Sequence, residues 1–397
     1  MQNSKMKQEL NIFPAQRVNN VKEYYFSKKL REIAQLNAKG EDIISLGIGG
    51  PDRPPHSDVV GTLCAEASKP DVHGYQPYVG IPELRKAFSS WYKTYYDVDL
   101  DSTTEIQPLI GSKEGILHIS LAFLNPGDGV LVPNPGYPTY TSVSRLVGAE
   151  IFNYSLTEES QWEPDFEELE RMPLERIKLM WVNYPHMPTG KKASMELYEK
   201  IVDFGKKHNI VIVNDNPYSF ILNDSPISIL KVQDAKDIAI EMNSLSKSHN
   251  MAGWRIGMLA SNPTFVSWIL KVKSNIDSGQ FKPMMLAAAK ALNCGKEWYE
   301  EVNATYRCRR LIAEEIMNVL GCTFDSEQSG LFLWGKIPES ENSSEVLADK
   351  ILYGAKVFIT PGFIFGSNGE RYIRISLCAT KQRMNEALER IKAYIGN

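Results

Sequence analysis

The chain has 397 residues, with 44 lysines and arginines against 48 aspartates and glutamates, for a formal net charge of −4. That length suits two or three domains with an ample core, and 43% hydrophobic content with modest charge excludes a largely disordered chain. The slightly acidic balance argues against a protein that grips nucleic-acid phosphates. Cys64, Cys294, Cys308, Cys322 and Cys378 stand apart with no C-x-x-C pair. Neither a disulfide framework nor a zinc site is therefore expected, and a reducing setting, the cytoplasm, follows. No metal site is expected elsewhere. The first residues, MQNSKMKQELNIFPAQR, lack the apolar core of a signal peptide. No run approaches the ~18 apolar residues of a membrane-spanning helix.

In chain order, the first 45 residues, with the aromatic cluster Tyr24-Tyr25-Phe26, read as an arm and helix that pack back on the body. Helical periodicity then covers Lys113–Leu124, and short apolar runs mark strands at Val130–Val132 and Ile177–Val182. A helix over Met195–His208 carries Leu197, Ile201, Val202 and Phe204 on or near one face. Strands at Ile210–Val213, Ile238–Met242 and Gly257–Ala260 follow, and then a helix over Pro263–Lys273. Strands this short and uniformly apolar suit a mostly parallel sheet covered by helices on both faces. In the last hundred residues, long helices (Glu297–Val319, Lys381–Ile395) flank strands at Leu331–Lys336, Lys356–Ile359 and Tyr372–Leu377, which reads as a smaller α+β domain. The expected division is 1–45 for the arm and part of the small domain, 46–285 for the large domain and 286–397 for the small one.

The unusual residues cluster just after these strands, where open α/β sheets hold their ligands. Ser244-Leu-Ser-Lys247 follows one strand, and Arg255 stands eight residues on, inside Gly253-Trp-Arg-Ile-Gly257. Asp215 and Tyr218 follow another, in a position that suits either a ligand contact or a turn cap. Gly111-Ser-Lys-Glu-Gly115 opens a helix, whose free N–H groups and dipole suit an anion, with a plain helix cap as the alternative. The loops Asn134–Tyr140 and Asn183–Gly190 also follow strands, and Met187-Pro188 is a candidate cis bond. Arg371 and Arg374 lie three apart on a strand and face opposite ways, so only one of them reaches a given pocket.

Together, the order and spacing of these residues resemble the pyridoxal-phosphate-dependent aminotransferases of fold type I, class I/II. The resemblance runs from about Ile43 to Leu377 and lies nearest the diaminopimelate, aromatic and methionine aminotransferase branch. Its most specific part is Ser-x-Ser-Lys-x7-Arg-x-Gly at 244–257, with Asp-x-x-Tyr beginning 32 residues upstream of the lysine. It implies a large domain with a mostly parallel mixed sheet sandwiched by helices, plus a smaller α+β domain. It also implies pyridoxal 5′-phosphate as cofactor, and amino transfer between an L-amino acid and a 2-oxo acid. By the same resemblance, Lys247 forms the Schiff base and moves the substrate proton, Asp215 keeps the pyridine nitrogen protonated, and Tyr218 hydrogen-bonds O3′. Tyr137 stacks on the ring, and Ser112, Lys113, Ser244, Ser246 and Arg255 hold the phosphate. Tyr75 reaches that phosphate from the neighbouring subunit of a homodimer. Arg374 clamps the substrate α-carboxylate with Gly49 beside it, Arg371 is a surface charge, and Tyr24 or Tyr25 serves as a lid over the substrate.

One position departs from the pattern. Asn-x-Pro-x-Asn-Pro-Thr-Gly appears as Asn183-Tyr-Pro-His-Met-Pro-Thr-Gly190, so Met187 stands where the family carries a second asparagine. Methionine offers no donor to O3′, and His186 is the neighbour that would have to supply one. In place of the branch's substrate-contacting asparagine, Gln280 or Lys282 is the candidate reader of a polar side chain. Two other readings fit the same residues: a lyase or racemase on the same fold, and a cofactor-binding module that has lost turnover.

Overall fold

The computed structural model describes residues 12–19 and 25–396. Strand β1 is Ile44–Ser45. The large sheet is built from β2 (Ile106–Leu109), β3 (Gly129–Asn134), β4 (Glu150–Ser155), β5 (Ile177–Val182), β6 (Val211–Asp215), β7 (Ala239–Ser244) and β8 (Gly257–Ala260). The remaining strands are β9 (Phe332–Lys336), β10 (Val357–Phe358), β11 (Thr360–Pro361) and β12 (Tyr372–Ser376).

The seven-stranded sheet has the order β2-β8-β7-β6-β5-β3-β4, and β8 alone runs antiparallel to both of its neighbours. Alternation along the strands sends successive apolar residues to opposite layers. Val130 and Val132 pack with Ile116 and Ile119 of the helix Ser112–Phe123 and Ile269 of the helix Pro263–Lys273. Leu131, Met180 and Ile212 pack on the other side with Leu197 and Ile201 of the helix Met195–His208 and with Phe88 and Trp91 of the helix Pro82–Tyr96. The fold class is therefore the expected α/β sandwich. Two strands of this sheet escape a search for apolar runs: β2 is only four residues with Gln107 and Pro108 inside, and edge strand β4 is exposed or half-buried except at Tyr154.

A second sheet, β11-β12-β9, is antiparallel and sets Arg374 opposite Trp334. Segment 44–49 is held between β10 and this sheet. Leu46 donates its N–H to the Phe358 carbonyl at 2.8 Å, and its own carbonyl accepts from Ser376 N–H at 2.7 Å. This brings Gly47 and Gly49 to the face that carries Arg374.

One buried acid braces the large sheet near its reactive end. Glu241, fully buried in β7, accepts from Tyr92 Oη (3.0 Å), Ser228 Oγ (2.7 Å), Asn214 Nδ2 (2.9 Å) and Ile229 N–H (3.1 Å). Glu241→Ala strands these donors away from water, so chemical denaturation is expected to register a loss of about 2–4 kcal/mol.

Candidate active site

Strands β5, β6 and β7 run parallel, and their C-terminal ends open onto a cavity of about 410 Å³. Asn183 follows β5, Asp215 ends β6 and Ser244 ends β7, so adjacent strands deliver a polar group each to the same edge.

Asp215 is 4% exposed. Its Oδ2 accepts from Tyr140 Oη at 2.9 Å, while its buried Oδ1 has no hydrogen-bond partner among the described residues. Burial pushes this carboxyl up to about 7, and the Tyr140 hydrogen bond partly opposes that rise. Asn183 Nδ2 donates to the Asp215 carbonyl and its Oδ1 accepts Met187 N–H at 2.9 Å, which holds the 183–190 turn onto the strand end. Tyr140 is itself locked by a parallel stack on Trp181, with ring centroids 5.0 Å apart.

Lys247 lies in the short helix Leu245–Ser248 that continues β7, and its Nζ donates to the Gly49 carbonyl. Burial lowers its ammonium below the ordinary lysine range, with the charges of Arg374 and Arg255 adding to the shift and Cys378 opposing it. A lowered pKa favours the neutral amine, the form that can accept a proton.

Beside it lies an anion cradle. The helix Ser112–Phe123 points its first N–H groups at the cavity, and these have no partner within the helix. Ser244 Oγ donates to Ser246 Oγ at 2.9 Å, and Arg255 reaches Ser246 Oγ at 3.4 Å and the Ala252 carbonyl at 2.8 Å. Gly111 has a positive φ of 78°, and a Cβ there would lie 2.0 Å from Arg255 Nη2, so a side chain would displace the guanidinium.

On the opposite wall, Arg374 is 4% exposed. Its guanidinium carbon lies 3.7 Å from the ring centroid of Phe332 and 4.6 Å from that of Phe365. Nη2 donates to the Gly47 carbonyl at 2.8 Å and Nη1 lies 3.2 Å from Met187 Sδ. Arg371 faces away and donates to the carbonyls of Glu341 and Pro338.

The cavity thus gathers Lys247, Asp215, Tyr218, Tyr137, Ser112, Lys113, Ser244, Ser246, Arg255, Gly49 and Arg374. Tyr75 is not among them: it is 94% exposed on the surface. Tyr24 lies outside the described residues, and Tyr25 packs edge-on against Phe363. His186 is no donor to the cavity, since its Nδ1 pairs with Thr189 Oγ1 at 2.8 Å and the ring does not line the site. Burial takes that imidazole down to about 3, so it is neutral. Gln280 does not line the cavity either, because its Nε2 donates to the Arg255 carbonyl at 2.8 Å, and Lys282 begins a separate helix. Sequence reasoning gave no role to Tyr140, Asn183 or the Phe332–Phe365 sandwich. Tyr140 and Asn183 lay within the post-strand loops already singled out, whereas the sandwich depends on pairing between distant segments.

The pattern of the aminotransferase class I and II family matches residues 41–391. The LL-diaminopimelate aminotransferase of Aquifex aeolicus is 42% identical over 371 residues, 93% of this chain and 96% of that protein. That of Dehalococcoides mccartyi is 39% identical over 382 residues, 96% and 98% of the two chains. Among solved structures, substrate-bound BacF from Bacillus subtilis has a TM-score of 0.92 at 33% identity, covering 97% of this chain and 98% of that one. The aromatic aminotransferase of Pyrococcus horikoshii has a TM-score of 0.86 at 27% identity, covering 95% and 97%.

Tyr140→Phe removes the one hydrogen bond to Asp215 Oδ2, so the carboxyl is expected to rise beyond about 7 by roughly one pH unit. A raised carboxyl stabilises the fold below its unfolded value and loses that contribution as pH climbs through the folded value. Denaturation midpoints of the cofactor-free proteins, followed from about pH 5 to 9, are therefore expected to fall over a higher pH range in the variant.

Proposed function

We propose, from the premise that this chain belongs to the class I and II aminotransferase family, a role for each cavity residue and a class of substrate side chain. The enzyme depends on pyridoxal 5′-phosphate and moves an amino group between an amino acid and a 2-oxo acid. Two observations support the fit of the cavity to that cofactor. The unpartnered Asp215 Oδ1 calls for a cationic N–H, which a protonated ring nitrogen provides, and the Ser112–Lys113 helix start with Ser244, Ser246 and Arg255 offers the donors a phosphate needs.

When bound, pyridoxal 5′-phosphate supplies a conjugated ring that accepts the electron pair left at the substrate Cα. Asp215 would hold the proton on the ring nitrogen, with Tyr140 steadying the carboxylate. Lys247 Nζ, its pKa lowered by burial, would take the proton from Cα of the donor amino acid and, in the return half of the transfer, give one to Cα of the acceptor. Tyr137 would stack on the ring, and Tyr218 would donate to the ring hydroxyl oxygen. Met187 offers that oxygen no donor, so Tyr218 bears the contact alone. Arg374, gripped between two phenyl rings, takes the α-carboxylate in a fork, with the backbone at Gly49 closing beside it.

The enzyme is read as a cytoplasmic homodimer; among the described residues no helix is long and apolar enough to cross a membrane. The exposure of Tyr75, with Tyr78 and Phe281 nearby at 46% and 41%, supports delivery of Tyr75 to the phosphate site of a second copy. Residues 46–285 would form the cofactor-binding body, 286–397 the small domain and 1–45 the arm.

The side-chain end of the substrate is set by the walls around Arg374: Phe26, Leu30, Ile48, Phe332 and Phe365. Among the described residues, the acidic side chain lining the cavity is Asp215, which is committed to the ring. Against the described walls, a second ammonium on the substrate would meet apolar surface without a counter-charge, which is costly. The reading is therefore an L-amino acid with a large apolar or aromatic side chain. Identity of about 40% to LL-diaminopimelate aminotransferases favours a second reading, in which a neighbouring protomer supplies groups for a distal charged end.

A panel of L-phenylalanine, L-glutamate and LL-diaminopimelate separates the two. Measured as kcat/KM, L-phenylalanine is expected to lead by about tenfold or more. An equal lead for LL-diaminopimelate would replace the first reading by the second.

A further inference from the structure

Behind the phosphate cradle lies a buried charge cluster with no part in the chemistry above. Lys273 is 2% exposed. Its Nζ lies 3.3 Å from Glu114 Oε1 and donates to Asp277 Oδ2. His118, fully buried, places Nε2 2.6 Å from Glu114 Oε1. The ligand-type atoms of Glu114, His118 and Asp277 come within 4.8 Å of one another, in the manner of a metal site. The lysine ammonium already lies among them, so the cation this cluster requires is part of the chain.

What the cluster holds is informative. Glu114 reaches back with Oε2 to accept the N–H of Ile110, directly before the Gly111 turn that presents Ser112 and Lys113. Asp277 Oδ1 accepts Gly279 N–H at 3.1 Å, and the next residue, Gln280, donates to the Arg255 carbonyl at 2.8 Å. The two halves of the cradle, helix start and arginine, thus meet through a single ammonium. The same loop anchors a third element: Gly279 has a φ of 84°, and a Cβ there would lie 2.7 Å from the Gln76 carbonyl, next to Tyr75. Phe281 stacks on His73, with centroids 5.9 Å apart.

We propose that Lys273 is a positioning residue for the cofactor phosphate: by bridging Glu114 and Asp277 it sets the spacing between the Ser112–Lys113 N–H groups and Arg255. Gln280 transmits the Asp277 end of that bridge. The inference rests on the phosphate site assigned above. Removing the ammonium leaves two partly buried carboxylates close to each other, and like charges so placed push apart the segments that carry them.

The test measures binding of pyridoxal 5′-phosphate and of pyridoxal, which lacks the phosphate, to the full-length cofactor-free enzyme and its variants. Lys273→Met is expected to reduce the preference for the phosphorylated form by about tenfold or more. Pyridoxal affinity should change little, and Lys273→Arg should restore most of the preference. Gln280→Met is expected to show a smaller loss of the same kind, and it decides the matter if Lys273→Met does not fold. Equal weakening of both ligands, or no change in the ratio, would overturn the proposal. Arg255→Gln is the control. If it abolishes the preference while Lys273→Met and Gln280→Met do not, only the positioning role falls; if it too leaves the ratio intact, the phosphate assignment fails and the inference with it.

Discussion

A buried carboxylate with one oxygen unpartnered is the constraint from which the active site can be reasoned outward. Asp215 ends a strand buried along its whole length, and burial, partly opposed by the Tyr140 hydrogen bond, pushes its carboxyl up to about 7. Such a group is stable as an anion only if a cation or N–H completes it. The cavity provides the opening, and a protonated ring nitrogen is a group of the right charge and shape. Tyr140, stacked on Trp181, fixes the other oxygen so that the open one keeps its direction. The parallel strands matter because they end together, which puts Asp215, Lys247 and the anion cradle within the reach of one small molecule.

The opposite wall follows a different logic. Arg374 is buried at the cavity wall, with the rings of Phe332, Phe365 and Phe26, a carbonyl and a thioether among its neighbours. These are weak or neutral contacts, and an anionic group arriving in a fork geometry makes a better partner than any of them. Met187 belongs to this environment. By standing where the family carries a polar amide, it leaves the arginine facing a soft, displaceable neighbour and makes the pocket more apolar.

The alternation of strands and helices was legible because strands covered on both faces read as short apolar runs, as β5 and β8 do without a residue of error. Strands β2 and β4 were not, since Pro108 and the exposed face of β4 erase that pattern. The Ser-x-Ser-Lys and Asp-x-x-Tyr spacings single out Lys247, Asp215 and Tyr218, which line one cavity because they stand at or just beyond the ends of strands of the same sheet. Contacts between distant segments carried no such signal. The Phe332–Phe365 sandwich on Arg374, the Lys273 bridge and the turning of Gln280 onto Arg255 depend on packing that spacing along the chain does not encode. His186 illustrates the same limit: it adjoins Met187, yet points to Thr189 and away from the cavity.

The central claim is that Lys247 is the amine at which the cofactor is held and the substrate proton is moved. The most direct measurement is reduction of the pyridoxal-5′-phosphate-loaded enzyme with borohydride, followed by peptide mass mapping, with and without prior addition of the preferred amino acid. The account predicts a single labelled site at Lys247, lost when the amino acid is added first. A label on another cavity lysine such as Lys113, or a Lys247→Ala enzyme that transaminates at the wild-type rate, would contradict it.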